Sequence, residues 1–253
     1  MPPKPYIGIT GFMDRTEVEH ILQDILPAIS RRIMIGVLAT LNTLRGRPAK
    51  RPNRYPPVQR IRDIFTDHPA ALNLIHYATD GRDTLADQLL EMTEAGGPRL
   101  HGFQLNIAWP DPDQLWRYLT KHPDKMIVLQ VGGRAFEAVR HSPERLAQKL
   151  ADEYYGLIDH VLLDLSGGHG RPLDAGTMGD FLRAVRAGNR ETGLGIAGGL
   201  GPESVVSILD GLPGEFPDLC VDAEGRLRDE NDDLDLGRAG AYLWLALQLF
   251  DAV

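Results

Sequence analysis

Eight short apolar runs, each followed by a segment with helical periodicity, constrain the fold of this 253-residue chain more than any other feature. The units recur roughly every thirty residues, which is the size of a strand-helix unit in a parallel sheet. The runs are continuous rather than alternating, so both faces of each strand are expected to be covered. Eight such units favour a closed barrel over an open doubly wound sheet, which more often has about five or six strands. We therefore predict an α/β fold, a single (β/α)8 TIM barrel with parallel strands, as one domain covering residues 1–253.

The predicted elements follow this alternation from end to end. The predicted strands are Pro5–Gly11, Met34–Thr40, Ala71–Thr79, Gly102–Ala108, Met126–Gly132, His160–Leu165, Gly193–Ala197 and Leu219–Ala223. The predicted helices are Arg15–Leu26, Val58–Phe65, Asp83–Ala95, Asp111–Lys121, Ser142–Tyr155, Ala175–Ala187, Pro202–Leu209 and Gly237–Ala252. Asp14 and Glu17 have the spacing of a capping box at the start of the first helix.

Two glycine-rich stretches indicate a site for an anionic ligand at the carboxyl ends of the strands. Asp164 ends an apolar run and is followed by a turn that contains Gly167, Gly168, His169 and Gly170. A second stretch contains Gly198 and Gly199, followed by a helix that Pro202 is expected to open. Exposed backbone amides and a helix N-terminus both favour phosphate. Because a barrel brings all these strand ends to one face, we expect the same cavity to be lined by Thr10, Asn42, Asn106, Gln130 and Asp164.

The segment Leu41–Pro57 is rich in proline, glycine and arginine and is predicted to be a long loop. Its basic residues, which have no acidic residue among them, are Arg45, Arg47, Lys50, Arg51 and Arg54. The loop is either a solvated rim of the barrel or a patch that recruits an acidic partner.

Composition excludes several classes of function. The net charge of −8 argues against nucleic acid as the main partner. The single cysteine, Cys220, cannot form an internal disulfide, and no apolar run approaches the roughly 20 residues of a membrane span. The amino-terminal segment lacks the pattern of a secretory signal. We expect a cytoplasmic protein, monomeric or homodimeric, with no membrane association and no metal or cofactor.

With these residues placed, the chain resembles the phosphoribosylanthranilate isomerase family of tryptophan biosynthesis over nearly its whole length. The matching motifs, in chain order, are Ile7-Gly8-Ile9-Thr10, Pro52-Asn53-Arg54-Tyr55, Phe103-Gln104-Leu105-Asn106-Ile107, Leu162-Leu163-Asp164 with Gly167-Gly168-His169-Gly170, and Ala197-Gly198-Gly199-Leu200-Gly201-Pro202-Glu203-Ser204-Val205. The last of these is specific, and the others gain weight from their order.

The resemblance implies an Amadori rearrangement of an aminoaldose phosphate, with Asp164 as the general acid. It also implies that Arg54 binds a substrate carboxylate, that Asn106 and Gln130 contact the substrate, and that phosphate binds at the glycines of the last loops, namely Gly167, Gly168, Gly170, Gly198, Gly199 and Gly225. No cofactor is implied, and the partner is a phosphorylated small molecule.

Two positions depart from the family pattern. Ile7 stands where the family has its catalytic cysteine, and it has no atom that could accept a proton. Glu224 precedes Gly225 and is expected close to the phosphate. The candidates for the missing base are Asp14, His169 and Cys220; Cys220 is otherwise interpreted as a buried small hydrophobe, and His76, within an apolar strand, as a core residue with its hydrogen bonds satisfied.

Three functions remain open from the sequence. The first is an isomerase acting on a phosphorylated sugar, with Asp164 as the acid and a base among the three candidates. The second is a paralogue that binds a phosphorylated ligand without this activity, which Ile7 favours. The third, recruitment of an acidic protein or RNA by the basic loop, fits least well with the acidic balance of the chain.

Overall fold

The computed structural model describes residues 3–25, 30–164 and 175–251. Within these ranges, eight parallel strands close into a barrel in sequence order, and the last strand pairs with the first through Ile7 opposite Val221. The predicted TIM barrel is confirmed. Its eight strands are β1 (Tyr6–Thr10), β2 (Arg32–Thr40), β3 (Ala71–Ala78), β4 (Gly102–Leu105), β5 (Met126–Val131), β6 (His160–Asp164), β7 (Gly193–Ala197) and β8 (Cys220–Ala223).

Helices connect the strands on the outside of the barrel. In the described part of the chain they are α1 (Arg15–Leu22), α2 (Leu41–Leu44), α3 (Ile61–Ile64), α4 (Leu85–Gly96), α5 (Pro112–Lys121), α6 (Gly133–Ala138), α7 (Pro143–Glu153), α8 (Ala175–Gly188), α9 (Val205–Ile208), α10 (Leu212–Glu215) and α11 (Leu236–Asp251). None of these helices combines the length and the hydropathy that crossing a bilayer requires.

Three predicted helices differ from those observed. The first ends at Leu22 rather than Leu26, and the segment predicted as Val58–Phe65 is a 3₁₀ turn, Val58–Arg60, followed by the single turn of α3. The third was predicted to start at Pro202, but α9 begins at Val205 because residues 202–204 form a turn in which the Ser204 hydroxyl donates to the Gly199 carbonyl at 2.7 Å. The short helices α2, α6 and α10 were not predicted, since four to six residues carry too little periodicity to be distinguished from a turn, and α2 occupies the start of the predicted loop Leu41–Pro57.

The predicted capping box at the start of α1 is confirmed. The Glu17 amide donates to Asp14 Oδ1 at 3.1 Å, and the Asp14 amide donates to Glu17 Oε2 at 3.4 Å. The Thr16 hydroxyl also donates to Asp14 at 2.6 Å and is the main reason why the pKa of that carboxyl is lowered. Asp14 therefore has a structural role as the helix cap.

Buried apolar side chains form two separate layers. The larger layer fills the space between the barrel and its helices and includes Ile7 and Ile9 of β1. The smaller layer fills the inside of the barrel with Tyr6, Met34, Leu72, Leu74, Val128, Leu162, Ala197 and Cys220. Because side chains alternate along a strand, β1 presents Tyr6, Gly8 and Thr10 to the inside. This register decides which polar residues can reach the cavity.

Candidate functional site

A chain of hydrogen bonds joins two carboxylates across the inside of the barrel at the carboxyl ends of the strands. The Thr10 hydroxyl donates to Asp222 Oδ1 at 2.9 Å, and Gln104 Nε2 donates to Asp222 Oδ2 at 2.9 Å. Gln104 Nε2 also donates to Gln130 Oε1 at 3.2 Å, and Gln130 Nε2 donates to Asp164 Oδ2 at 3.0 Å. Asp164 and Asp222 are thus linked through the side-chain amides of two neighbouring strands.

Asp222 is the buried carboxyl at one end of this chain and is only 4% exposed. Burial raises its pKa to about 7; the hydrogen bonds from Gln104 and Thr10 oppose the shift, and the charges of Glu224 and Asp164 add to it. A carboxyl with this pKa is divided between its acid and base forms near neutral pH, which suits general acid–base work. Sequence reasoning missed Asp222 because it was grouped with an apolar strand. The available signal was its alternation with Cys220, which places both side chains on the inner face of β8.

The position that faces the cavity from β1 is Gly8, not Ile7. Ile7 is fully buried in the outer layer, so the expectation that it stands in the cavity in place of a catalytic cysteine is wrong. A Cβ atom on Gly8 would lie 2.7 Å from Asp222 Oδ1 and 2.7 Å from Met34 Cε. The Asp222 carboxylate therefore occupies space that a side chain on the inner face of β1 would otherwise fill.

His76 lies on the inner face of β3, where it is opposite Gln104 in the register with β4. The imidazole is 6% exposed, and its Nδ1 has no hydrogen-bond partner among the described residues. Burial lowers the pKa of His76, while Glu224 and Asp164 act in the opposite direction. The predicted burial of His76 is confirmed, but its hydrogen bonds are not all satisfied among the described residues, because Nδ1 has no partner there.

Arg54 reaches the same end of the barrel from the basic loop. Its Nη1 donates to Glu224 Oε1 at 2.7 Å, and its Nε lies 2.8 Å from both carboxylate oxygens of Asp232. Its Nη2 also donates to Asp232, so every nitrogen of the guanidinium bonds to a carboxylate of the protein. The hydrogen bonds that Arg54 donates raise its pKa, and those to Asp232 have the largest effect. The Glu224 side chain is thereby directed at Arg54 and its charge is compensated.

The loops that follow β7 and β8 contain three of the glycines predicted to bind phosphate. Gly198 and Gly199 have φ angles of 99° and 70°, a region of the backbone map that glycine adopts readily. Gly225 begins a 3₁₀ turn that carries Arg226, whose Nε would lie 3.8 Å from a Cβ on Gly199. A guanidinium group is thus next to the β7 loop. Phosphate binding by Gly198, Gly199 and Gly225 remains a prediction.

The other predicted site residues are placed as follows. Asn106 is exposed just after β4, where its amide donates to the Tyr77 carbonyl at 2.9 Å, and Asn42 is exposed in α2. Cys220 is buried at the other end of β8, and burial raises the pKa of its thiol to about 12, which rules against a base near neutral pH. Gly167, Gly168, His169 and Gly170 lie outside the described residues.

The site holds no recognisable metal centre in the described ranges. No group of three or more histidine, cysteine, aspartate or glutamate side chains there is arranged to hold a metal ion.

Comparison with solved structures supports the fold, whereas comparison of the sequence with known proteins finds no match. No family profile matches the chain, and no curated protein matches it. Among solved structures, phosphoribosylanthranilate isomerase from Thermotoga maritima is similar with a TM-score of 0.65 and 14% identity over 98% of this chain and 100% of that chain. N-(5'-phosphoribosyl)anthranilate isomerase from Pyrococcus furiosus gives 0.61 and 16%, again over 98% and 100%.

A third similar structure is phosphoribosylanthranilate isomerase in complex with reduced 1-(o-carboxyphenylamino)-1-deoxyribulose 5-phosphate. Its TM-score is 0.64, with 14% identity over 98% of this chain and 100% of that chain. The resemblance predicted from the motifs is confirmed for the fold, over the full length of both chains. At this identity a shared barrel does not establish a shared reaction.

Proposed function

We propose that this protein is a phosphoribosylanthranilate isomerase-like enzyme that catalyses an Amadori-type isomerisation of a phosphoribosyl substrate, in tryptophan biosynthesis or a related reaction. The observation that carries the proposal is the pair of carboxyls, Asp164 and Asp222, linked through Gln130 and Gln104 inside the barrel. Aldose–ketose isomerisation needs both an acid and a base, and two carboxyls in different environments can divide these roles.

Asp164 is assigned as the general acid and Asp222 as the general base. Asp164 protonates the ring oxygen as the C1–O bond breaks and the nitrogen lone pair forms a C1=N bond, so the furanose opens to a positively charged imine at C1. Asp222 then takes the proton from C2, the electrons of the C2–H bond form the C1=C2 bond, and those of the C1=N bond neutralise the imine nitrogen. The resulting enolamine becomes the ketose when C1 gains a proton and the C2 hydroxyl loses one. Asp222 supplies the base from β8 where Ile7 cannot supply one from β1.

Phosphate is assigned to the loops after β7 and β8, where substrate would be anchored by the amides of Gly198, Gly199 and Gly225. Arg226 adds positive charge beside the β7 loop. Phosphate at these loops is common in TIM barrels, because the backbone amides there can be directed at one point.

A second function, binding of a phosphorylated ligand without catalysis, is favoured by one observation. Asp222 is 4% exposed and already accepts hydrogen bonds from Thr10 and Gln104, so a substrate must enter deeply or displace a bond to reach it. Turnover measurements separate the two functions.

The test is conversion of N-aryl 5-phosphoribosylamines, including phosphoribosylanthranilate, to the aminoketose phosphates. We expect turnover whose kcat/KM rises with pH through an apparent pKa near 7, the value to which burial raises Asp222. Asp222→Asn and Asp164→Asn should each lower kcat by about 100-fold to 10,000-fold. Asp14→Asn, the same change in a helix cap that asparagine also serves, should leave kcat unaltered.

Full activity in Asp222→Asn would contradict the assignment of the base. If the unmodified protein binds these compounds through their phosphate group but does not convert them, the result would favour the binding role instead.

A further inference from the structure

Two arginines in the wall of the cavity, Arg54 and Arg228, are already bonded to oxygen atoms of the protein. Arg54 is held by Asp232 and Glu224, and its side chain is only 13% exposed. The two nitrogens on one edge of the guanidinium, Nε and Nη2, both bond to Asp232. This is the side-by-side arrangement that a carboxylate ligand would adopt. Asp232 therefore occupies the place on Arg54 where an incoming carboxylate would bind.

Arg228 is engaged by backbone carbonyls in the same way. Its Nη2 donates to the carbonyls of Gly11 at 2.8 Å and Thr10 at 3.2 Å, and its Nη1 lies 3.5 Å from Asn53 O and 3.4 Å from Asp232 O. The side chain is 8% exposed. Arg228 thus ties the end of β1, the basic loop and the turn after β8 together, and it presents little surface to a ligand.

In the described part of the cavity, four carboxylates lie around these two arginines, and Arg226 lies beside the β7 loop. These carboxylates are Asp164, Asp222, Glu224 and Asp232. Glu224 and Asp232 accept hydrogen bonds from Arg54. The charges of Glu224 and Asp164 act to raise the pKa values of His76 and Asp222. An additional carboxylate placed here would lose its hydration and face like charges, and both effects weaken its binding.

Three buried polar atoms in this cavity and its wall lack partners among the described residues, and two of them, Gln104 Oε1 and His76 Nδ1, lie on the inner faces of neighbouring strands, whereas the third is Arg228 Nε. Gln104 Oε1, in a side chain that is 1% exposed, can only accept a hydrogen bond. Nδ1 of His76, 6% exposed, is the second, and burial favours the neutral imidazole. Buried polar atoms are rarely left unpaired, so Gln104 Oε1, which can only accept, indicates a ligand or water with an N–H or O–H group, and His76 Nδ1 accepts a second such bond in the tautomer protonated on Nε2.

We infer that the substrate carries a neutral or cationic hydrogen-bond donor, such as a carboxamide or an amine, in place of a carboxylate at the end opposite its phosphate. The inference rests on the proposed function and narrows its substrate class. Asp232 is the specificity-determining residue, because it occupies Arg54. Gln104 Oε1 and His76 Nδ1 accept hydrogen bonds from this donor.

Two probes that differ in one group test this inference. One is reduced 1-(o-carboxyphenylamino)-1-deoxyribulose 5-phosphate, and the other is its o-carbamoyl analogue, in which a carboxamide replaces the carboxylate. Titration calorimetry at neutral pH should give a Kd for the carboxamide lower by about tenfold or more, since the charged probe meets the excess of carboxylates. Ribose 5-phosphate serves as the reference for the shared phosphate.

Asp232→Asn should shift this preference. Without its charged partner Arg54 can turn to the ligand, so the affinity for the carboxylate probe should rise by about tenfold while that for ribose 5-phosphate stays constant. Asp233→Asn is the matched control, because Asp233 is exposed in the same turn and its carboxylate has no hydrogen bond or ion pair to the described residues. Circular dichroism checks that both variants are folded.

The outcomes separate this inference from the proposed function. Equal or tighter binding of the carboxylate probe by the unmodified protein, with ribose 5-phosphate also bound, would overturn the inference and leave the isomerase proposal in place. Failure of all three compounds to bind would overturn both.

Discussion

Gly11 follows β1 at the carboxyl-terminal face of the barrel, where it packs directly against Arg228. Its φ angle is 106°, and a Cβ atom there would lie 1.5 Å from Arg228 Nη2, the nitrogen that bonds to the Thr10 and Gly11 carbonyls. Gly11→Ala should lower the free energy of unfolding by about 2–4 kcal/mol, because backbone strain and the displacement of Arg228 add. Urea unfolding measures the loss.

Gly46→Ala is the control, because it measures the cost of backbone strain without a steric clash. Gly46 has a φ angle of 65° and open space around its Cβ position. Its replacement should cost about 1–2 kcal/mol, the penalty of the left-handed conformation without a clash. Equal losses for the two variants would show that the contact with Arg228 is unimportant.

At the scale of the element, the register of β1 determines which of its residues faces the Asp222 carboxyl, to which we assign the role of base. Ile7→Cys places the thiol in the outer apolar layer, so turnover should be unchanged and stability should fall by about 1–2 kcal/mol. Gly8→Ala puts a methyl group against Asp222 and should lower kcat by about tenfold or more, with phosphate binding retained. Both variants are compared by steady-state kinetics and by ribose 5-phosphate titration.

A gain of activity in Ile7→Cys would show that residue 7 of β1 can act as the base, against our assignment. Full activity in Gly8→Ala, in a protein that still binds ribose 5-phosphate, would show that the position of the Asp222 carboxylate does not matter.

At the scale of the whole molecule, Asp222 makes stability depend on pH. Its folded pKa is about 7 against an ordinary value of 3.8, so between these values the folded protein binds the extra proton. The free energy of unfolding then falls as pH rises through this window. Asp222→Asn cannot titrate, so its stability relative to the unmodified protein should rise on the order of 4 kcal/mol from pH 4 to pH 8.

Buried histidines act in the opposite direction but cancel in this comparison. Burial lowers the pKa of both His160 and His101 to about 4, so each favours unfolding as pH falls below its ordinary value of 6.5. They are present in both proteins, and the difference between the two unfolding curves isolates Asp222. A difference that is constant with pH would contradict the raised pKa of this carboxyl.

The amino-acid sequence by itself determined the closed barrel, the strand ends that meet on one face and the capping box of Asp14 and Glu17. These depend on local periodicity and on the size of each strand-helix unit, both of which can be read along the chain. The resemblance to phosphoribosylanthranilate isomerases was also available from the motifs, and the comparison with solved structures confirms it for the fold.

Only the tertiary structure decided what each polar residue contacts. A shift of one residue in register moves a side chain from the cavity to the outer layer, and for this reason Ile7 was misplaced and Asp222 overlooked. The partners of Arg54 are separated from it by 170 and 178 positions, and His76 and Gln104 by 28. Such contacts exist only once the strands close into a barrel, since the pKa of Asp222 and the occupancy of Arg54 are set by burial and by charges that are distant in the chain.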